Sequence, residues 1–164
     1  MTPEFIESRE EMEQILHEEV FGFLGMSKKD VPYVVPLNYT YIDGRIIFHC
    51  SLEGEKLDHI RANPQVCFSV ARQPGQFRRH AQGSNCEVNS ESVVCFGTAR
   101  FIDNLAERAQ IINTFNRSFR PGDDDIPLKA VKGCGAVEIT ISEMTGRRER
   151  DQTLTCWRYR FDQK

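Results

Sequence analysis

The dipeptide Asp43-Gly44 stands between two runs that read as strands, Tyr33 to Tyr41 (YVVPLNYTY) and Arg45 to Cys50 (RIIFHC). Asp-Gly suits the tight turn whose backbone twist matches two antiparallel strands. The chain therefore folds back on itself here, before any helix could cross over. Pro36 lies inside the first run, where it cannot donate to a strand ladder, so that position is expected at a sheet edge or beside a bulge.

Around this hairpin the periodicity changes several times. Ser8 to Val20 places Met12, Ile15, Leu16 and Glu19 at helical spacing, with Ser8 and Glu11 as a capping box. Phe21, Phe23 and Gly25 then alternate with their neighbours, up to a polar turn at Ser27 to Asp30. A short helix is predicted over Ser51 to Asn63, capped by Ser51, buried through Leu57 and Ile60, and stopped by Asn63-Pro64. Val66 to Val70 reads as a strand, and Arg72 to Asn89 as a polar loop. Ser92 to Ile102 reads as a long strand whose central Gly97 marks a bulge or a close backbone approach. Leu105, Ala109, Ile112 and Phe115 give Asn104 to Phe119 one apolar helical face. An acidic linker, Pro121 to Pro127, precedes a strictly alternating strand at Gly135 to Ser142 and a last strand at Leu154 to Phe161. Without βαβ repetition, this order describes one antiparallel sheet or barrel with peripheral helices.

The 164 residues suit one domain, and 40% of them are hydrophobic, enough for a core without disulfides. A net charge of −3 leaves no basic surplus to neutralise a nucleic-acid backbone or to hold an anionic membrane. Arg78-Arg79-His80 and Arg147-Arg148-Glu149-Arg150 are short enough to read as solvated turns or strand ends. Neither a signal peptide nor a run of about 20 apolar residues is visible, so a cytoplasmic location is expected. Cys50, Cys67, Cys86, Cys95, Cys134 and Cys156 form no C-x-x-C pair and no common zinc pattern. They read as free thiols in apolar stretches, and no metal is expected.

Several chemistries lack their motifs: G-x-G-x-x-G, a P-loop and the G-x-S-x-G elbow. His17-Glu18 opens like a metalloprotease motif, but Phe21 stands where the second histidine belongs. The informative junction is His49-Cys50-Ser51-Leu52-Glu53-Gly54-Glu55-Lys56. A helix starting here offers unpaired N–H groups and the positive end of its dipole. Ser51 adds a hydroxyl, Gly54 allows close approach, and Lys56 adds a cation, which together make a phosphate cradle. Glu53 and Glu55 oppose a generic anion site. An ordinary helix start with solvated charges remains the other reading.

These residues also carry a resemblance. Tyr33 to Val70 resembles the pyridoxamine 5′-phosphate oxidase-like split barrels, and within them the Nim-like (nitroimidazole resistance) flavin-binding group. The matching elements are P-x-x-V-P-x-N-Y (Pro32 to Tyr39), D-G-R-I-x-F-H (Asp43 to His49), S-x-x-G-x-K (Ser51 to Lys56) and L-x-x-I-R-A-N-P-x-V-C-F (Leu57 to Phe68). Cys86, S-V-V-x-F-G-x-A (Ser92 to Ala99) and Glu143 to Arg148 add to them.

The resemblance implies a six-stranded antiparallel split β-barrel of Greek-key type with peripheral helices, paired as a homodimer with a flavin at each subunit interface. Val35, Pro36, Leu37 and Asn38 would then run along the flavin ring. His49, Cys50, Ser51, Leu52 and Lys56 would hold its ribityl phosphate, and Cys86 would reach the site from its loop. His49 is the implied catalytic residue, with a satisfied barrel histidine as the other reading; for Cys86 the other reading is a buried thiol. FMN is the expected cofactor, with FAD the alternative. The residues that hold pyridoxal phosphate in the oxidases have no counterparts here, so that reaction is not expected. The implied activity is flavin-dependent reduction of a small flat acceptor, a nitro-aromatic or a quinone, over an apolar lining of Tyr39, Phe48 and Trp157. A non-catalytic flavin- or haem-binding module is the alternative.

Overall fold

The computed structural model describes residues 5–73, 89–150 and 153–162. Strand β1 (Phe5–Glu7) leads into helix α1 (Glu10–Glu18), then β2 (Phe21–Lys28), β3 (Val31–Asn38), β4 (Thr40–Ile42) and β5 (Arg45–Cys50). Helix α2 (Glu55–Ala62), β6 (Gln65–Arg72), β7 (Ser90–Phe101), helices α3 (Leu105–Phe119) and α4 (Leu128–Val131), β8 (Gly135–Arg150) and β9 (Thr153–Arg160) follow. Among the described residues, nine strands form one sheet in the order β1-β9-β8-β7-β6-β2-β3, and β5 joins β8 to β4 on a side branch.

The class is the expected one, mainly β with peripheral helices, but the count is nine strands and not six. Among the described residues the sheet does not close: β3 pairs with β2 alone and β4 with β5 alone. One pairing is parallel, β1 on β9, in an otherwise antiparallel sheet. Strand β8 explains the split. Its first residues pair with β5 and its last with β9, while β7 follows it on the opposite side. The β7 register shifts between Phe96 and Gly97, the bulge marked by the glycine. A Cβ at Gly97 would collide with the backbone oxygen of Thr140. The strand pair can approach this closely only because the residue has no side chain.

Asp43 and Gly44 both have positive φ, 39° and 75°, as the hairpin turn requires. Tyr33 to Tyr41 is not one strand: it divides at Tyr39 into β3 and β4. Pro36 lies on the edge strand, opposite Phe23. The two expected serine caps do not form. Helix α1 begins after Arg9, and the Ser8 hydroxyl donates to Glu10 instead of closing a box with Glu11. Helix α2 begins after Gly54 and has no side-chain cap, whereas α3 is capped by Asn104, which accepts from the Glu107 N–H.

The nine residues of α1 are too few to hold a helix alone. Met12, Ile15 and Leu16 are 0–1% exposed, and each such burial contributes about 1.5–3 kcal/mol. They close one end of a core built from Leu24, Tyr39, Ile46, Phe48, Phe68, Ile139, Met144 and Trp157. A smaller cluster, Ile102, Ile112, Val131 and Ala136, lies under α3. It explains why Gly135 to Ile139 is buried throughout and does not alternate: both faces of β8 are covered there.

Arg148 is largely covered, and Arg150, though 53% exposed, is held by the same carboxylate. Their guanidinium groups donate at 2.6 and 3.0 Å to Glu91, which is 0% exposed, and Arg72 donates to its other oxygen at 2.7 Å. Arg72 also reaches Glu18, and Arg148 reaches Glu11, so the hub fastens α1 across β6, β7 and β8. Arg78-Arg79-His80 and Cys86 lie outside the described residues. None of the described helices is long and apolar enough to cross a membrane.

Candidate functional site

Strand β5 presents alternate residues to two different faces. Ile46 and Phe48 enter the main core and Cys50 packs against it. Arg45, Ile47 and His49 face the other way, toward α3. After Cys50 the chain bends through exposed Ser51, Leu52, Glu53 and Gly54 into α2. Gly54 has φ 137° and ψ 165°, a conformation open essentially to glycine alone, and a Cβ there would meet nothing within 4 Å. The glycine thus serves the backbone path, and it leaves open space over the start of the helix. The Gly54 carbonyl accepts from the N–H groups of Leu57 and Asp58. Helix geometry leaves the N–H groups of Glu55 and Lys56 without an intrahelical partner. The Lys56 ammonium lies 5.3 Å from the centre of the Phe48 ring, so its stem lies along the core and its charge stands at the mouth of the loop.

Helix α2 links this loop to β3. One turn beyond Lys56, the His59 ring stacks on Tyr33 at 4.7 Å and 27°, and Asn63 donates to the Ser27 hydroxyl at 3.0 Å. Val35 and Leu37 follow Tyr33 on the inner face of β3 and pack against the same core as Cys50. Pro36 and Asn38 are exposed on the outer face, and Asn38 donates to the Val20 carbonyl at 3.0 Å. The structure thus gathers Val35, Leu37, Cys50 and Lys56 around one core, with Ser51 and Leu52 at its rim. It sends Pro36 and Asn38 outward.

His49 stands apart from that group. Its ring meets Phe115 of α3 edge-on at 4.8 Å. Burial, and then the charge of Lys56, hold its pKa below the ordinary histidine value, so it is neutral at pH 7. A neutral imidazole can accept or relay a proton. Burial pushes the Cys50 thiol up, against the pull of Lys56. Tyr39, Phe48 and Trp157 do not form one apolar lining: Phe48 and Trp157 are core residues, and Tyr39, itself 1% exposed, borders a separate cavity beside α1.

A feature missed in the sequence lies on the His49 face of β5. Arg45 and Arg100 both donate to Glu138, at 2.9–3.1 Å, beside a cavity of about 350 Å³ lined also by Ile42, Ile47 and Gln110. The lone carboxylate in GAVEITIS is its trace in the sequence.

The family model described as pyridoxamine 5′-phosphate oxidase matches residues 8–148. Three solved structures share the fold. A protein described as a 5-nitroimidazole antibiotic resistance protein, from Bacteroides thetaiotaomicron, is 24% identical with TM-score 0.74, over 86% of this chain and 84% of that one. A FAD-binding protein from Mesorhizobium loti is 24% identical with TM-score 0.62, over 87% and 96%. The FAD and haem binding protein from Mycobacterium smegmatis is 16% identical with TM-score 0.76, over 96% and 76%. An uncharacterised protein of Rhizobium meliloti (strain 1021) is 33% identical over 64 residues, 39% of this chain and 42% of its own length. A match that spans α1 through most of β8 takes in the split sheet, the β5–α2 loop and the edge strand together, and the chain belongs to the pyridoxamine 5′-phosphate oxidase family.

Proposed function

We propose that the chain binds a flavin, FMN in the first instance, with its phosphate at the start of α2. The observation that carries this reading is the β5–α2 loop: free first-turn N–H groups, open space over Gly54, and Lys56 at the mouth. The neighbours that bind FAD support the class of ligand. Val35 to Asn38, on a strand that has no second partner among the described residues, offer backbone groups to a ring. A bound flavin supplies hydride or electron transfer to a flat acceptor, a nitro-aromatic or a quinone. The chain's own part is to hold the phosphate, align the ring edge, and keep His49 neutral at the strand end, where it can take or give a proton.

The reading includes a homodimer. Phe23, Val34, Pro36, Cys67 and Phe96 share the outer face of β3-β2-β6-β7, and Phe23, Val34 and Phe96 are 44–58% exposed. An apolar face of this kind favours association. The test is FMN titration of the purified protein with its absorption spectrum. Lys56→Ala should weaken binding about tenfold, the loss of roughly 1.4 kcal/mol expected when one charge-assisted contact goes. Equal affinity of wild type and variant refutes the cradle, and a Soret band would favour the haem alternative. Turnover of a nicotinamide donor separates an enzyme from a carrier.

A further inference from the structure

The charged cluster around Glu138 has no part in the flavin reading. On β8, Glu138 stands opposite Ile47 of β5 on one side and Arg100 of β7 on the other. Arg45 lies two residues before Ile47, and residues so spaced on a strand share a face. Helix α3 roofs that face. Glu107, Gln110, Ile111 and Thr114 follow at i, i+3, i+4 and i+7, one side of a helix, and line the same cavity of about 350 Å³ as the strand residues.

Stability does not account for the cluster. Glu138 is 4% exposed, and burying a carboxylate costs most of what its pairing returns. Its ion pairs join β5, β7 and β8, which backbone pairing already joins. What Glu138 does is hold two guanidinium groups in place. One oxygen accepts from Arg45 Nη1 at 3.0 Å, and the other accepts from Arg100 Nε and Nη2 at 3.1 and 2.9 Å. A guanidinium has more N–H groups than these bonds use. Arg45 Nε and Nη2 and Arg100 Nη1 have no acceptor among the described residues, and the two side chains are 48% and 50% exposed. Glu107, itself partly exposed, accepts from Arg100 Nη2 at 2.6 Å at the edge of the cavity.

We propose that this cavity binds a small organic carboxylate with a compact apolar body, an aryl or branched-chain acid. A carboxylate matches the planar fork of an arginine, and forks already held by Glu138 lose little freedom on binding. Ile42, Ile47 and Ile111 take the apolar body. The carboxylate displaces Glu107 from Arg100, and Glu107 turns to water. Two arginines against two glutamates leave the wall without net charge, so once Glu107 has turned away it matches a single negative charge and not a phosphate dianion. The site shares no residue with the β5–α2 loop and stands apart from the flavin reading.

The test titrates benzoate into the full-length protein at low ionic strength, with calorimetry for affinity and isoleucine methyl NMR for location. Benzamide, of the same shape without the charge, is the control. The expected result is one benzoate per chain, methyl shifts at Ile47 and Ile111, and binding of benzamide weaker by about tenfold or more. Arg45→Gln should weaken benzoate by about tenfold. Glu107→Gln should strengthen it, because Arg100 loses the competing carboxylate, and misfolding cannot produce a gain. No saturable binding, equal affinity for benzamide, methyl shifts confined to other isoleucines, or a Glu107→Gln protein that binds no better than wild type overturns the assignment.

Discussion

Glu91 is the residue whose loss should cost the fold most for its size. Its carboxylate is fully buried and accepts from Arg72, Arg148 and Arg150 at 2.6–3.0 Å. Glu91→Gln keeps the shape and removes the charge, so three guanidinium groups lose their common anion. Breaking a buried pair from one side costs about 3–5 kcal/mol. Here the arginines are 21%, 22% and 53% exposed and can recover some water, and Arg72 and Arg148 keep Glu18 and Glu11. The lower end, about 3 kcal/mol, is therefore expected, or roughly 6–12 °C in Tm for a domain of this size. Urea unfolding of both proteins at pH 7 measures it. Burial works to raise the Glu91 carboxyl, but Arg72 and Arg148 outweigh burial and leave it below its ordinary value. A carboxylate with a depressed folded pKa contributes stability above its unfolded pKa and loses it as pH falls through the folded one. The gap between wild type and Glu91→Gln should accordingly narrow below about pH 4.5. Glu143→Gln is the control. Its partners Arg158 and Arg160 sit on the surface, and it should cost no more than about 1 kcal/mol. A Glu91→Gln loss no larger than that of the control would refute the account of the hub.

Other variants probe the site and its supports. Gly97→Ala should cost about 2 kcal/mol, because its Cβ meets the Thr140 backbone, which cannot rotate away; a chevron or melting curve reports it. Tyr39→Phe leaves the Leu16 carbonyl without its buried partner and should lose about 1–2 kcal/mol in the same assay. Gly54→Ala strains a glycine-only backbone in an exposed loop that can relax, so FMN affinity should fall while Tm barely moves. The His49 imidazole, followed by NMR, should titrate below the ordinary histidine range; Lys56→Ala should move it upward but not restore it, since burial is the larger cause. If the proposed dimer forms, Phe23→Asp should convert it to monomer in sedimentation, and an unchanged mass would refute the proposed face.

Most of the fold was legible because its signals are local. Asp43-Gly44, Gly97, Asn63-Pro64 and the α3 face each act within a few residues of themselves, and each falls where its chemistry points. The errors came from distance. No local rule shows that β8 runs on to Arg150, because what extends it is pairing with β7 and β9. Ser51 has the composition of a cap, but Gly54 turns the chain into the helix three residues later. At the site, Lys56 and Gly54 were readable as parts of a helix start. The side to which His49 turns was not, since it depends on α3, which lies more than fifty residues away and covers one face of β5. Tyr39, Phe48 and Trp157 were misplaced for a related reason: an aromatic residue reads the same in a pocket wall as in a core.

The parallel pairing of β1 with β9 bears on how the molecule is made. Phe5 lies against Cys156 and Glu7 against Arg158, and the Arg158 guanidinium sits 4.2 Å from the Phe5 ring centre. Among the described residues Phe5–Glu7 precedes every other strand and pairs with the one that follows them all. Contacts so far apart in sequence form late. Until then β2, β3 and β6 can already pair with one another, while β1 still lacks its partner β9. The closing of β1 on β9 is thus a late step in assembling the sheet. A protein stalled before it would display an unpaired strand to its neighbours, and native-state hydrogen exchange should find β1 the first strand to open.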